Sequence, residues 1–254
     1  MRHILNIDQR SDDWRAARAG KLTASLAHVP AMQGRKKGEE STTRRDLRFR
    51  LALERINGAA LPEDFGGNGD TERGRELEAE ALAAYEARTG HLLTPVGFVY
   101  RDDLPIGCSP DGALVGLGIE GDPERHGDIA MYPAVDVFLG GVDVKVPRPA
   151  NHNAYRLDPS LLVADYEAQI AHTLLTTSAP WWDVASYCPQ MPAPLRLVIV
   201  RMVVSPITGP VSMPPSIARV HGVDLAAHEL NVRQFLREVD AQEAALRQAA
   251  QEAA

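Results

Sequence analysis

The chain has 254 residues, 44% of them hydrophobic and 24% charged, with a formal net charge of −7. This composition fits one large globular domain, or a domain with an appendage. It argues against a protein that coats nucleic acid, and it leaves a nucleic-acid enzyme open, because local charge decides there. Two cysteines, Cys108 and Cys188, give neither a disulfide framework nor zinc-knuckle spacing. "MRHILNIDQRSDDW" lacks the apolar stretch of a signal peptide, and no apolar run would span a bilayer. A soluble, cytoplasmic protein is expected.

In chain order, residues 11–25 open as a capped helix, with Ser11 or Asp12 as cap and Gly20 as its end. "TASLAHVPAM" reads as a further helical turn broken at Pro30. Residues 34–50 are locally basic and 63–80 acidic, and either reads as solvated surface. Residues 41–57 form a helix with Leu47, Leu51, Leu53 and Ile56 toward one side. "NGAALPEDFGGNGD" is a loop. Residues 71–90 give the clearest helix: Leu77, Ala81, Ala84 and Tyr85 make an apolar stripe, Gly90 stops it, and Glu78 sits beside the stripe.

Strand-like segments follow at 95–101, 111–117, 142–147, 181–188 and 195–203, with a helix at about 160–177. The Gly- and Pro-rich stretch 116–141 reads as an insertion loop. A long amphipathic helix ends the chain, from about 221 to 254, either within the same domain or as an oligomer contact. No internal repeat is present. Helices, then hairpins, a helix and more strands imply an α+β fold with a central mixed sheet flanked by helices, residues 1–220 forming the main domain.

The chemistry concentrates in two short stretches. In "GVDVKVP" (141–147), alternation puts Val142, Val144 and Val146 on one face and Asp143 and Lys145 on the other. An anion and a cation on an otherwise apolar strand cost desolvation unless paired or used; a solvated edge strand is the plainer reading. In "GCSPDG" (107–112), Asp111 is a turn residue at the head of a strand. Beside Asp143 it would complete a hard-oxygen site suited to Mg²⁺ or Mn²⁺, with a backbone carbonyl as a further ligand. Glu78, from a helix packed on the sheet, could add a third carboxylate.

Asp111…Asp143-Val-Lys145, with Pro110 before it, matches the P-D…(D/E)-x-K pattern. Together with Trp14–Ser25 ("W-x3-R-x-G-x-x-T-A-S"), Arg73–Ala81 ("R-G-x3-E-x-x-A"), "CSPDG" (108–112), "DVKVP" (143–147) and Tyr166-x-x-Gln169, the chain resembles the lambda exonuclease / YqaJ-type viral recombinase nucleases over residues 10–205. The resemblance implies a restriction-endonuclease-like fold. It implies Asp111, Asp143, the Val144 carbonyl and Glu78 at a site for divalent metal, two ions per active site, with Lys145 positioning or deprotonating the attacking water. It places Arg18, Ser25 and Ser109 on DNA phosphate, and Tyr166 and Gln169 behind the metal site. Read alone, Arg18 suits a helix-surface salt bridge, Ser25 a helix cap and Tyr166 a core position. Asp143 stands where many relatives carry Glu. His152 and His172 lie near these motifs and read as surface or core histidines.

The activity implied by the resemblance is metal-dependent 5′-to-3′ exonuclease action on one strand of double-stranded DNA. Such action releases 5′-mononucleotides and leaves 3′ single strands for annealing-type phage recombination. A homotrimeric ring, a single-strand annealing partner and a phage or prophage source acting in the bacterial cytoplasm are implied with it. Two alternatives stand: a structure-specific or restriction-like endonuclease of the same fold, and a non-catalytic DNA-end-binding protein.

Overall fold

The computed structural model describes residues 2–36, 38–62, 69–119, 134–205 and 215–253, with the backbone alone at 69–72, 75, 118, 119 and 134–136. Its helices are α1 (Asp12–Arg18), α2 (Thr42–Asn57), α3 (Gly69–Thr89), α4 (Pro149–Leu157), α5 (Pro159–Thr177) and α6 (Leu225–Glu252). Its strands are β1 (Arg2–Leu5), β2 (Leu22–Thr23), β3 (Phe98–Arg101), β4 (Ile106–Cys108), β5 (Gly112–Ile119), β6 (Ala134–Lys145), β7 (Trp181–Tyr187), β8 (Leu197–Val204) and β9 (Arg219–Val223). β1-β3-β4-β2 form one mixed sheet and β5-β6-β7-β8-β9 the other.

The larger sheet alternates antiparallel and parallel pairings, with β6 and β7 parallel at its centre. Both faces of this centre are covered, which is why β6–β8 read as apolar runs. On one face, Ala81 and Tyr85 of α3 pack on Val142, Val144, Ala185 and Ile199. On the other, Leu162, Ile170 and Leu174 of α5 pack on Trp182, Val184, Val200 and Met202. Asp143 and Lys145 therefore face α5, while their valine neighbours face α3.

α1 starts at the expected cap: the Trp14 backbone N–H donates to Ser11 Oγ at 3.2 Å, and Asp12 and Asp13 fill the first turn. In α2 the buried stripe is Leu47, Leu51 and Ala52, whereas Leu53 and Ile56 are only half-buried. Glu54 is buried in place of a fourth apolar residue, because its carboxylate accepts from the Gly20 N–H, Arg50 Nε and the Leu61 N–H. The expected turn around Pro30 is two short 3₁₀ turns, Ala24–Leu26 and Val29–Ala31. Proline sits in the first turn of the second, where its missing N–H costs nothing.

The stretch 116–141 is not all loop. Residues 116–119 belong to β5 and 134–141 to β6, paired from Gly116↔Val137 to Ile119↔Ala134; 120–133 lie outside the described residues. Its glycines suggested a loop, yet Gly141 serves a strand: a Cβ there would lie 2.3 Å from the Trp182 ring. The C-terminal helix starts at Leu225, later than expected, because 219–223 pair with β8. Asp224 caps it by accepting the Ala227 N–H. Val232, Phe235, Leu236 and Val239 then pack with Leu47 and Leu51 of α2, and Arg44 grips Glu238 through two bonds of 2.8 Å.

A polar cluster lies under α3. Arg201 Nε and Nη2 each donate to Asp183 at 2.9 Å, and Tyr85 Oη donates to Asp183 Oδ2 at 2.8 Å. All three residues are buried, so each charge depends on the other.

Candidate active site

Asp143 is 3% exposed, and both its oxygens are held. Gln169 Nε2 on α5 donates to Oδ1 at 2.7 Å, and Trp182 Nε1 on β7 donates to Oδ2 at 2.9 Å. Lys145 Nζ stands 3.5 Å from Asp143 Oδ1 and 5.2 Å from the centre of the Tyr166 ring. Tyr166 and Gln169 reach the strand from the same side because they are three residues apart on one helix.

Asp111 comes to this pair from the turn between β4 and β5. Gln9 Nε2 fixes that turn by donating to the carbonyls of Val96 and Pro110, at 3.1 and 3.0 Å. The Val144 N–H, midway between Asp143 and Lys145, donates to Asp111 Oδ2 at 2.8 Å. Burial first, then the Asp143 charge and more weakly that of Glu78, together raise the Asp111 carboxyl to about 7. Lys145 and the Val144 N–H pull the other way. Lys145 loses by burial but gains more from Asp143 and Asp111, and its affinity for a proton rises.

This electrostatic state fits a divalent cation. Two carboxylates converge, one lysine does not offset them, and the donors are hard oxygens. Among the described residues no three His, Cys, Asp or Glu close up as a metal-ligand set. A cation between Asp111 and Asp143 would take its remaining ligands from backbone carbonyl, water and phosphate. Glu78 lines the same space, but it lies 3.5 Å from Arg10 Nη2 in an ion pair. Arg10 itself has a left-handed φ of 75°, which costs an arginine about 1–2 kcal/mol.

These groups line a cavity of about 640 Å³. All ten residues expected from the sequence meet there: Glu78, Asp111, Asp143, Val144, Lys145, Arg18, Ser25, Ser109, Tyr166 and Gln169. Arg10, Arg18, Arg73, Arg148 and Lys145 line it against Glu78, Asp111 and Asp143, so the wall is locally cationic in an acidic chain. The Arg18 guanidinium lies 3.8 Å above the centre of the Trp14 ring, and Trp14 Nε1 donates to Ser109 Oγ at 2.8 Å. With its oxygen accepting from the indole, Ser109 keeps its own proton to donate. Ser25 is exposed in the 3₁₀ turn, its Oγ 3.4 Å from Thr23 Oγ1.

Sequence reasoning missed Trp182, Arg10, Arg73 and Arg148. Arg73 opened a quoted motif, and its Nη2 donates to the Val146 carbonyl at 2.9 Å, tying α3 to the end of β6. The signal for Trp182 was the pair Trp181-Trp182, since adjacent strand residues face opposite sides. Both histidines near the motifs are core residues. His152 bonds Ser186 Oγ and the Leu195 carbonyl; His172 bonds the Leu22 carbonyl and His228.

Residues 13–180 match the model of the YqaJ-like viral recombinase domain. Among solved structures, the alkaline exonuclease LHK-Exo from Laribacter hongkongensis is similar, with a TM-score of 0.68 at 23% identity over 96% of this chain and 100% of that one. Its complex with dAMP gives 0.69 at the same identity and coverage. A phage related exonuclease from Haemophilus somnus 129PT gives 0.59 at 13% identity, over 91% of this chain and 96% of that one. No curated protein matches the chain. The structural likeness establishes a restriction-endonuclease-like fold, as the motifs implied. With the family model spanning well over half its length, the chain belongs to the YqaJ-like viral recombinase family.

Proposed function

We propose that this chain is a divalent-metal-dependent exonuclease acting on double-stranded DNA ends. It degrades one strand from its 5′ end, releases 5′-mononucleotides and leaves 3′ single-stranded DNA for annealing-type recombination. One observation carries the reading: Asp111 and Asp143 are joined through the Val144 N–H, with Lys145 beside them, on the floor of a cavity ringed by arginines. Family membership supports it, and so do neighbours described as exonucleases, one of them in complex with dAMP.

Mg²⁺ or Mn²⁺ bound at the two aspartates would supply charge stabilisation of the phosphodiester transition state and an activated water. The chain's own residues do the positioning. Gln169 and Trp182 hold the Asp143 carboxylate in one orientation, and the Val144 N–H does the same for Asp111. Lys145 is placed to donate to a phosphate oxygen or to the attacking water. Arg18, Ser109 and Ser25 take the neighbouring phosphate. A second cation would need Glu78 released from Arg10. A homotrimeric ring, a single-strand annealing partner and action in the cytoplasm of a bacterial host complete the reading, on the strength of the family resemblance.

The test is digestion of linear duplex DNA labelled separately at its two 5′ ends and its 3′ ends, with Mg²⁺ and with EDTA, beside a covalently closed circle. Release of 5′ label as mononucleotide, only with Mg²⁺ and with the circle intact, is expected. A cut circle would move the assignment to an endonuclease, and no cleavage in any divalent metal to a DNA-end-binding protein.

A further inference from the structure

The turn before α1 carries an arginine that its backbone does not suit. The Ser11 N–H donates to the Asp8 carbonyl at 3.2 Å, which closes Asp8–Ser11 into a β-turn with Arg10 as its third residue. Arg10 has a φ of 75° there, the left-handed region that a turn ordinarily gives to glycine or asparagine at this position. A strained residue of this kind persists where its side chain has a role. Among the described residues the one ion pair of Arg10 is with Glu78, Nη2 to Oε2 at 3.5 Å. The pair stands at a boundary: Gln9, Arg10, Glu78 and Asp111 line both the active-site cavity and a neighbouring space of about 480 Å³. Asp8 and Glu86 also line that space, and among the described residues no other cation does. The arginine is therefore held by the negative field of the site as well as by Glu78 itself.

Glu78 is the carboxylate that a second divalent cation would require, and the inference rests on the nuclease reading above. We propose that Arg10 is a tethered competitor for that position: its guanidinium supplies the positive charge beside Glu78 until a divalent ion displaces it. Displacement is open to the pair, because the Arg10 side chain is 51% exposed and that of Glu78 34%, so the guanidinium can swing out into water. An exposed ion pair of this kind contributes up to about fivefold to an equilibrium. A divalent ion carries twice the charge and gains more from the same carboxylate. The displaced arginine does not leave the site. Gln9, the residue before it, is bonded to the Val96 and Pro110 carbonyls, which anchors the turn beside Asp111. The chain thus fills a first cation position at Asp111 and Asp143 before a second at Glu78.

The test follows Mn²⁺ uptake, without DNA, by electron paramagnetic resonance of the free ion. It compares the parent with Arg10→Gly, Glu78→Gln and the double variant. Glycine accepts the left-handed φ of the turn, and Arg10→Asn removes the same charge with a residue that also tolerates it. Thermal unfolding checks that each variant is folded. The parent is expected to take a first Mn²⁺ at Asp111 and Asp143 and a second more weakly. Arg10→Gly and Arg10→Asn should each strengthen the second step by about fivefold. Glu78→Gln should remove the second step, and adding Arg10→Gly should not restore it. An unchanged second step in the folded Arg10 variants would overturn the proposal. So would a gain from Arg10→Gly that is as large with Glu78 replaced, since Arg10 would then act as a distant charge and not as a competitor. A parent that takes up no Mn²⁺ would sink the cation site, and the nuclease reading and the competitor with it.

Discussion

Trp182→Phe isolates one hydrogen bond at the centre of the site. The ring stays in the core, where Trp182 is fully buried, and only the indole N–H to Asp143 Oδ2, at 2.9 Å, is certain to go. A hydrogen bond to a charged group contributes about 1.5–3 kcal/mol. Asp143 keeps its bond from Gln169, so the carboxylate loses its fixed orientation rather than its place. Removing a group that orients a metal ligand typically costs about 10–100-fold in metal affinity or activity. The assay is the initial rate of DNA cleavage against Mg²⁺ concentration, with thermal unfolding as a control. Half-saturating Mg²⁺ should rise by about 10–100-fold, and high Mg²⁺ should restore much of the rate. A folded variant with the parental Mg²⁺ dependence would refute the reasoning that Trp182 orients a metal ligand.

Arg201→Met leaves Asp183 buried and unpaired, which should cost about 3–5 kcal/mol and lower the midpoint of thermal unfolding by roughly 10 °C; a drop below about 2 °C would show that the pair carries no net stability. Arg18→Gln should slow cleavage of 5′-phosphorylated ends by about tenfold or more and spare 5′-hydroxyl ends; equal loss on both would remove Arg18 from the phosphate. His172 makes stability acid-sensitive. Burial, and then His228, lower its imidazole from the ordinary 6.5 to about 3. The unfolded chain binds a proton below 6.5 that the folded chain refuses, so stability is full above pH 6.5 and falls as pH drops toward 3. At pH 5 this one group accounts for about 2 kcal/mol. Urea unfolding at pH 7 and pH 5 should show that loss shrinking by about this amount in His172→Gln, and an unchanged difference would contradict it.

What was legible in the sequence followed short-range rules. Strand alternation separated Asp143 and Lys145 from their valine neighbours, and the i, i+3 spacing put Tyr166 and Gln169 on one face. The Ser11 cap and the Gly90 stop bounded their helices. What was not legible depends on partners far along the chain. β1 and β2 are four and two residues long and exist through pairing with distant strands, β1 with β3 and β2 with β4. Glu54 looks like a solvent residue until the backbone N–H groups of Gly20 and Leu61 converge on it. Arg10 precedes the first helix, and only the path of residues 6–10 beside α3 brings it to Glu78. Gly140 and Gly141 argued for a loop because the rings of Trp181 and Trp182, which need those gaps, stand about forty residues away.

The central claim is that Asp111 and Asp143 are two halves of one cation site, and Mn²⁺ binding measured by isothermal titration tests it without reliance on cleavage. The parent should bind Mn²⁺, and Asp111→Asn and Asp143→Asn should each abolish that binding while keeping the parental circular dichroism. Binding that survives either substitution in a folded chain, or a parent that takes up no Mn²⁺, would contradict the account.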